Sequence, residues 1–243
     1  MRSLLPRRNL HKAFQSMYAY RGVIPGFQAH SSLHSVAEGG FQDGKRYEAG
    51  RPTYLNGHLD YVIKLATETA GSVDTVLEVG AGTGKLTRAA VTALDKASAP
   101  LGEYSGNYSC IEPSKLRNTL HSDPELANRV QLLPQESLSS NVVGFVDEHG
   151  NPKQAQLILV GQAFHWFADG NTLRELARCS TSTGVLALMW NHLDVSSPGM
   201  RWIEAVMSGF YRQAAKEQGG KEVPRALTGE WIREFGKNPE VVL

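Results

Sequence analysis

The sequence predicts an α/β fold, in which the strands of a parallel sheet alternate with helices along the chain. The first observation is a dense apolar run at 73–79, as expected of a strand that is buried on both faces. The second is the glycine-rich turn GAGTG at 80–84, which follows that run directly. The third is the segment 85–94, whose apolar residues recur at helical spacing. A strand, a glycine-rich turn and a helix in this order open a nucleotide-binding α/β domain.

The remaining strands are predicted from short apolar runs that end in turn-forming or polar residues. Apart from the first strand, these runs are 108–111, 130–133, 157–160 and 185–189. The turn-rich stretch 95–107 is predicted to be a surface connection, and 142–153 an insertion that ends in an exposed turn. Strands and helices that alternate in this way favour a parallel sheet.

Helices are predicted where apolar residues recur three and four positions apart. The first begins near Leu59 and ends at Gly71. Ser114 is predicted to cap the helix after the second strand, and Asn171 to open the helix after the fourth. The last helix spans about 200–216, and its apolar stripe is predicted to be buried in the core. That stripe consists of Trp202, Ile203, Val206, Met207 and Phe210.

The spacing of the glycines distinguishes between cofactor classes. A dinucleotide fingerprint has the spacing G-x-G-x-x-G, which brings a helix N-terminus to a pyrophosphate. Here the third glycine, Gly84, comes one residue early, and Lys85 stands where that pattern requires glycine. An acidic residue, Glu78, precedes the first glycine by two positions. Both departures disfavour a dinucleotide and point to a different nucleoside cofactor.

Polar residues follow the second and third predicted strands, at the sheet edge where α/β proteins bind ligands. Glu112 ends the second strand, and a carboxylate there can accept hydrogen bonds from both hydroxyls of a ribose. Gln135 and Glu136 follow the third strand and are predicted to meet the edge of an adenine. The alternative for Glu112 is a solvated loop carboxylate, and the ribose contact does not separate one nucleoside cofactor from another.

An aromatic sequence, QAFHWF at 162–167, follows the fourth strand, where a plain strand end would be polar and turn-rich. His165 is the candidate general base for a hydroxyl or amine acceptor, a role typically worth about 10²–10⁴-fold in rate. The alternatives are a packing or substrate-shaping role beside Trp166, or no base at all if the acceptor is a carboxylate. Trp166, Phe167 and Trp190 are predicted to form walls of an acceptor pocket.

A segment before the first helix is predicted to be ordered, because it combines two tyrosines and an arginine with a helix-breaking proline. Its sequence places Tyr47, Arg51, Pro52 and Tyr54 within eight residues. Tyr47 and Arg51 are predicted to form a substrate-binding lid, with Arg51 near a carboxylate of the cofactor or of an acidic substrate.

Four of these patterns together resemble the class I S-adenosylmethionine (SAM)-dependent methyltransferases. The similarity is to the methyltransferase type 11 family, and within it to the trans-aconitate methyltransferase-like enzymes that act on small molecules. The four patterns are the segment 47–54, the turn 78–84, the strand end 111–114 and the aromatic sequence 162–167. The resemblance covers about residues 41–192.

The resemblance implies a doubly wound, Rossmann-like parallel sheet with SAM lying across the ends of the first three strands. It implies further cofactor contacts from the glycine turn and its surroundings, namely Glu78, Gly80, Ala81, Gly82, Gly84 and Gln162. Leu55 stands where relatives usually have proline, and Gln156 where they usually have aspartate. Relatives continue into a sixth and a seventh strand, whereas the only candidate strand after the last predicted helix is the short apolar run 240–243. We therefore expect these two strands to be missing or atypical, in a domain at 41–243 that is C-terminally shortened.

Composition excludes several other classes of function. A net charge of +1 gives no reason to expect nucleic acid as the main partner, and no apolar run reaches the roughly 18 residues of a membrane span. The two cysteines are far apart in sequence, so no metal site is predicted. Residues 1–37 carry four arginines and one lysine but no Asp or Glu, which is typical of an organellar transit peptide. We expect 1–40 to direct the protein to mitochondria, or else to be a solvated extension of a cytoplasmic enzyme.

Three function classes follow from these patterns. The favoured one is a SAM-dependent methyltransferase that modifies a carboxylate, hydroxyl or amine of a small molecule. The second is a non-catalytic SAM-binding domain, suggested by the short C-terminus. The third is a dinucleotide-dependent oxidoreductase, which Lys85 disfavours.

Overall fold

The structure is a computed structural model that describes residues 48–99, 102–192, 196–217 and 231–238. Three sequence-based expectations therefore lie outside the described residues. They concern the transit peptide at 1–40, the lid residue Tyr47, and the tail at 240–243.

The centre of the fold is a five-stranded sheet in which every strand pair is parallel. Its strands are β1 Thr75–Val79, β2 Asn107–Ile111, β3 Gln131–Leu132, β4 Ala155–Gly161 and β5 Ser180–Met189. They lie in the order β3-β2-β1-β4-β5, so the chain winds outward from β1 in one direction and then returns through β4 in the other. The crevice at this reversal, beyond the carboxyl ends of β1 and β4, is where such sheets bind ligands.

Helices cover both faces of the sheet, which confirms the doubly wound α/β prediction. They are α1 Asn56–Ala70, α2 Lys85–Ser98, α3 Arg117–His121, α4 Gly170–Arg178, α5 Pro198–Glu217 and α6 Ile232–Lys237. A short 3₁₀ turn, Phe164–Trp166, follows β4. One core cluster joins the sheet to α1 and α2, and the other joins its opposite face to α4. Within the described ranges, no helix is both long and apolar enough to cross a membrane.

Several helix boundaries agree with the sequence-based predictions for physical reasons visible in the structure. Gly71 ends α1 with a φ of +87°, and its N–H donates to the carbonyl of Thr67. The Ser114 hydroxyl accepts a hydrogen bond from the N–H of Leu116, just before α3 begins. The helix α4 begins one residue before Asn171, because the side chain of Asp169 caps it.

The predicted burial of the α5 stripe is wrong. The helix itself is present at the expected position, but Trp202 is 69% exposed and Phe210 is 68% exposed. The other apolar residues of the stripe, Ile203, Val206 and Met207, are each more than a third exposed. Helical periodicity shows which face of a helix is apolar, but it does not show whether another element covers that face.

Two further expectations are refined by the structure. The segment 142–153 is not simply an exposed insertion, because Val142 and Phe145 are buried in the core cluster on the α4 side. Its second half does form an exposed turn, closed by a bridge between Val146 and Pro152. In the described part of the chain no strand follows β5, and the recorded partner of β5 is β4 alone.

Candidate functional site

A cavity opens at the reversal point of the sheet, between β1 and β4. Its walls come from the glycine turn after β1, from Gly161 and Gln162 at the end of β4, and from Asn191 after β5. Residues 51–54 close it from the N-terminal side, and Glu78 lines it from within β1. Of the predicted site residues, those that line the cavity are Arg51, Glu78, Gly80, Ala81, Gly82 and Gln162. The other predicted site residues that the structure describes are not among the residues that line the cavity.

The glycine turn needs glycine for both backbone and steric reasons. Gly80, Gly82 and Gly84 have φ values of +77°, +60° and +87°, a region that side chains disfavour. A Cβ on Gly80 would lie 2.7 Å from the Cβ of Ala163, and one on Gly84 would lie 2.8 Å from Leu120. The N–H groups of Gly80 and Ala81 both donate to the carbonyl of Ile111, which fixes the turn to the end of β2. The turn is thus held rigidly, with bare backbone facing the cavity.

Glu78 is a buried carboxylate with one oxygen satisfied and one without a partner. Its Oε2 accepts hydrogen bonds from the Tyr108 hydroxyl at 2.7 Å and from the Thr87 hydroxyl at 2.8 Å. Its Oε1 is buried and has no hydrogen-bond partner among the described residues. Burial raises the pKa of Glu78 to about 7, against the lowering effect of these hydrogen bonds. A cationic ligand beside Oε1 would stabilise the ionised form of this buried carboxylate.

Glu112 connects the glycine turn to the end of β2. Its Oε2 accepts from the N–H of Gly82 at 2.6 Å, and its Oε1 accepts from the N–H of Ser114 at 2.9 Å. Each carboxylate oxygen has a second lone pair, so these bonds leave capacity for two further donors. Gln135 lies at the same sheet edge, where its Nε2 donates to the carbonyl of Pro113 at 3.4 Å. Glu136 is exposed next to it.

Gln162 adopts an unusual backbone conformation at the cavity wall. Its φ is +56°, and it is the non-glycine residue with a positive φ in the described part of the chain. Its N–H donates to the carbonyl of Met189, and its side-chain Nε2 donates to the carbonyl of Asn191 at 3.0 Å. These two bonds join the ends of β4 and β5, and such a conformation commonly marks a functional position.

His165 is held as a neutral imidazole. The indole N–H of Trp190 donates to Nδ1 of His165 at 3.2 Å, so the ring proton lies on Nε2. The pKa of His165 is lowered to about 4, mainly by burial and to a smaller extent by electrostatic interaction with Arg51 and His192. Because the free lone pair is already used and protonation is disfavoured, the imidazole offers a hydrogen-bond donor. This geometry favours the substrate-shaping alternative over the general base.

None of the three aromatic residues predicted as pocket walls, Trp166, Phe167 and Trp190, lines the cavity, and their rings pack against neighbouring aromatic rings. Phe167 packs against Gly80, and its ring meets that of Phe164 edge to face at 5.8 Å. Trp166 lies beside His165, with the ring centroids 5.1 Å apart. Trp190 stacks on Trp231 next to α6, with the centroids 4.6 Å apart. Trp231 was not predicted, since nothing in the local sequence relates it to the site.

Residues that line the cavity but were not predicted to be site residues include Tyr54, Thr83, Lys85 and Asn191. Tyr54 is buried with its hydroxyl against Gly161, and a Cβ on Gly161 would lie 2.5 Å from that oxygen. Asn191 donates from Nδ2 to the carbonyls of Pro52 and Thr53 at 3.5 and 3.4 Å. Tyr54 belongs to a recognised motif, whereas Asn191 reaches the site only because β5 lies beside β4. Among the described residues, no group of His, Cys, Asp and Glu could hold a metal ion.

The sheet order, the glycine turn and the carboxylates at the strand ends define a doubly wound α/β domain of the class I methyltransferase type. No family model matches the sequence. The chain is 30% identical over 193 residues to an uncharacterized methyltransferase-like protein of Schizosaccharomyces pombe, covering 78% of this chain and 62% of that protein. It is also 30% identical to a second uncharacterized methyltransferase of that yeast, covering 65% of this chain and 53% of the relative. A third relative, an uncharacterized methyltransferase of Mycobacterium tuberculosis, is 30% identical, with 61% and 50% covered.

The chain spans between half and about three fifths of the length of these curated relatives. Among solved structures it is similar to a sugar N-methyltransferase from Streptoalloteichus, with 12% identity and a TM-score of 0.44 over 72% of this chain and 62% of that one. It is also similar to a SAM-dependent methyltransferase from Clostridium acetobutylicum, with 15% identity and a TM-score of 0.41 over 65% and 58%. The relatives confirm the predicted resemblance to methyltransferases, whereas the type 11 family and its trans-aconitate methyltransferase-like subgroup stay predictions.

Proposed function

We propose that the cavity binds SAM and that the protein transfers the methyl group to a small-molecule acceptor. The observation that carries this proposal is Glu78, a buried carboxylate that lines the cavity beneath a glycine turn and whose Oε1 has no hydrogen-bond partner among the residues that the structure describes. SAM is a cation that carries a sulfonium and an ammonium group, and it would stabilise such a carboxylate. A dinucleotide would instead bring a pyrophosphate, which is repelled by a carboxylate.

The described residues fit the parts of SAM. Glu78 would face the ammonium group, and the bare backbone of the turn leaves room for the methionyl chain. Arg51 and Lys85 line the same cavity and would pair with the carboxylate of the cofactor. Glu112 would hold the ribose hydroxyls, with Gln135 and Glu136 beside the adenine.

When bound, SAM supplies an electrophilic methyl group and needs no metal. The protein's own residues then have to align the acceptor with that methyl group and exclude water. Such positioning alone can lower the activation free energy by about 7–11 kcal/mol. Tyr54, which lies against Gly161, provides an apolar wall for this purpose.

We further propose that the acceptor atom is a carboxylate oxygen. The neutral imidazole of His165 has its N–H on Nε2 as a hydrogen-bond donor, and the charge of Arg51 acts on this imidazole. An ionised carboxylate fits these donors and needs no base, whereas a hydroxyl or an ammonium group must lose a proton to react. The described residues around His165 do not supply an evident proton acceptor, so the hydroxyl and amine acceptors are the weaker candidates.

Incubation with methyl-labelled SAM and a panel of small carboxylic acids, alcohols and amines tests both proposals. We expect label in the acids only, in a product that mild alkali converts to volatile methanol, because carboxyl methyl esters hydrolyse there. Label that resists alkali would indicate an ether or an amine and would contradict the carboxylate proposal. SAM binding without transfer to any member of the panel would favour the non-catalytic SAM-binding domain instead.

We also propose that residues 1–40 direct the protein to mitochondria, with a cytoplasmic location as the alternative. Support comes from the five basic residues before the first acid, Glu38. A fusion of 1–40 to a fluorescent reporter should co-localise with a mitochondrial dye. A diffuse cytoplasmic signal would contradict the proposal.

A further inference from the structure

The segment 48–54 and the glycine turn lie on opposite sides of the cavity. Arg51, Pro52 and Tyr54 line it from one side, and Gly80, Gly82 and Lys85 are among the residues that line it from the other. A ligand between them would contact both. Separation of the segment from the turn would therefore ease the release of such a ligand.

One end of the segment is held by charge. The Glu48 carboxylate accepts hydrogen bonds from the Thr83 hydroxyl and from the Arg88 guanidinium. The Lys85 ammonium group lies 3.5 Å from Oε1 of Glu48. Thr83 is buried within the glycine turn, and the side chain of Lys85 is only 14% exposed. Glu48 thus reaches the turn and its following helix through three different side chains.

The other end of the segment is held by packing. Tyr54 is buried in the core cluster of the α1 and α2 side, with its ring against Gly161. Asn191 adds only long contacts to the carbonyls of Pro52 and Thr53. The buried end is expected to stay in place while the charged end opens, because ion pairs near the surface exchange readily with water.

We propose that Glu48 is a positioning residue that latches this segment over the bound cofactor and so sets the rate at which the cofactor and its demethylated product leave. The inference rests on the proposed function of the cavity. Glu48 acts through Thr83, Lys85 and Arg88, and no direct contact with the cofactor is required. Neither the sequence motifs nor the relatives assign a role to this residue.

The latch is separable from the fold. Arg88 has a second carboxylate partner, Asp123, with an N–O distance of 2.5 Å, which holds α2 to the loop after α3. Loss of the Glu48 charge therefore leaves Arg88 paired. The side chains of Glu48 and Arg88 are about a third exposed, at 32% and 30%, so salt should screen their attraction.

Stopped-flow displacement of S-adenosylhomocysteine from the full chain tests the latch. We expect Glu48→Gln to raise the dissociation rate on the order of three- to tenfold at low salt, with the association rate changed by less than about twofold. In the wild type the dissociation rate should rise with salt, whereas in Glu48→Gln that salt dependence should be largely lost. The matched control is Glu68→Gln, which removes an exposed carboxylate that pairs with Lys64 on α1.

The possible outcomes distinguish failure of the Glu48 latch from failure of the proposed cofactor site. Equal dissociation rates and equal salt dependence in the wild type and Glu48→Gln would overturn the latch. An equal acceleration in Glu68→Gln would also overturn it, because the effect would then be general electrostatics. Absence of S-adenosylhomocysteine binding to the wild type would remove the proposed cofactor site, and the latch with it. Thermal melting of each variant should be nearly unchanged, which excludes a loss of folding as the cause.

Discussion

Glu78 is the buried carboxylate on which the proposed cofactor site depends. Its pKa is raised from 4.5 to about 7 by burial, so the folded protein holds this proton more tightly than the unfolded chain does. The stability that the neutral carboxyl contributes is complete below about pH 4.5 and is lost as the pH rises to about 7. The total change is on the order of 3 kcal/mol.

We therefore expect Glu78→Gln to stabilise the ligand-free protein against urea more at about pH 8 than at about pH 5. The neutral amide removes the titration while its carbonyl oxygen still accepts from Tyr108 and Thr87. Urea unfolding curves at both pH values measure the effect. A difference between wild type and variant that does not change with pH would contradict the environment described for this carboxyl.

His165 gives a second prediction at this scale. Because its pKa is lowered to about 4, the imidazole is neutral throughout the range from about pH 6 to about pH 9. His165→Gln should leave the shape of the kcat profile unchanged over this range, with a loss in rate of less than about tenfold. If the variant loses an ionisation near neutral pH together with a rate factor above about a hundred, His165 is a general base after all.

The glycine turn is the element on which the site depends. In Gly80→Ala the added Cβ would lie 2.7 Å from Ala163, and the residue would have to keep a positive φ. The substitution is therefore unfavourable both for the backbone conformation and for the packing. We expect a loss of roughly 2–4 kcal/mol in the free energy of unfolding, together with loss of cofactor binding. Gly71→Ala is the matched control, since its φ is +87° but a Cβ would have nothing within 4 Å. The free energy of unfolding of this control should fall by only about 1 kcal/mol, and the control should still bind the cofactor.

The helix α5 supplies a prediction about packing. Trp202→Ala should change the free energy of unfolding by less than about 0.5 kcal/mol, because the indole is 69% exposed. Phe164→Ala, in contrast, should cost about 3–5 kcal/mol, because its ring is fully buried between α4 and α6. Denaturant unfolding compares the two. Similar large losses would mean that the tryptophan is covered in solution.

At the scale of the whole molecule, the sequence was sufficient to predict the order of elements and the centre of the site. Buried parallel strands appear as continuous apolar runs, and a turn of alternate glycines has few structural explanations. Gly80 and Gly82 were therefore found directly, and Glu78 and Gln162 through the resemblance to a family. All four line one cavity.

What could not be predicted depends on contacts between distant parts of the chain. Asn191 joins the site because β5 pairs with β4, and Trp231 joins it because it stacks on Trp190. The environment of His165 depends on Trp190, which lies 25 positions away in the sequence. Likewise, the amphipathic pattern of α5 is genuine, but the pattern contains no information about which surface, if any, covers it. Periodicity is local, whereas burial is a property of the assembled fold.

The central claim is that the cavity at the reversal of this sheet accepts a cationic nucleoside cofactor. Isothermal titration of the full chain with SAM and, separately, with NAD tests it most directly. We expect SAM to bind with a dissociation constant in the micromolar range or below, and we expect NAD not to bind. Glu78→Gln should weaken the binding of SAM. Binding of NAD without binding of SAM would contradict the account.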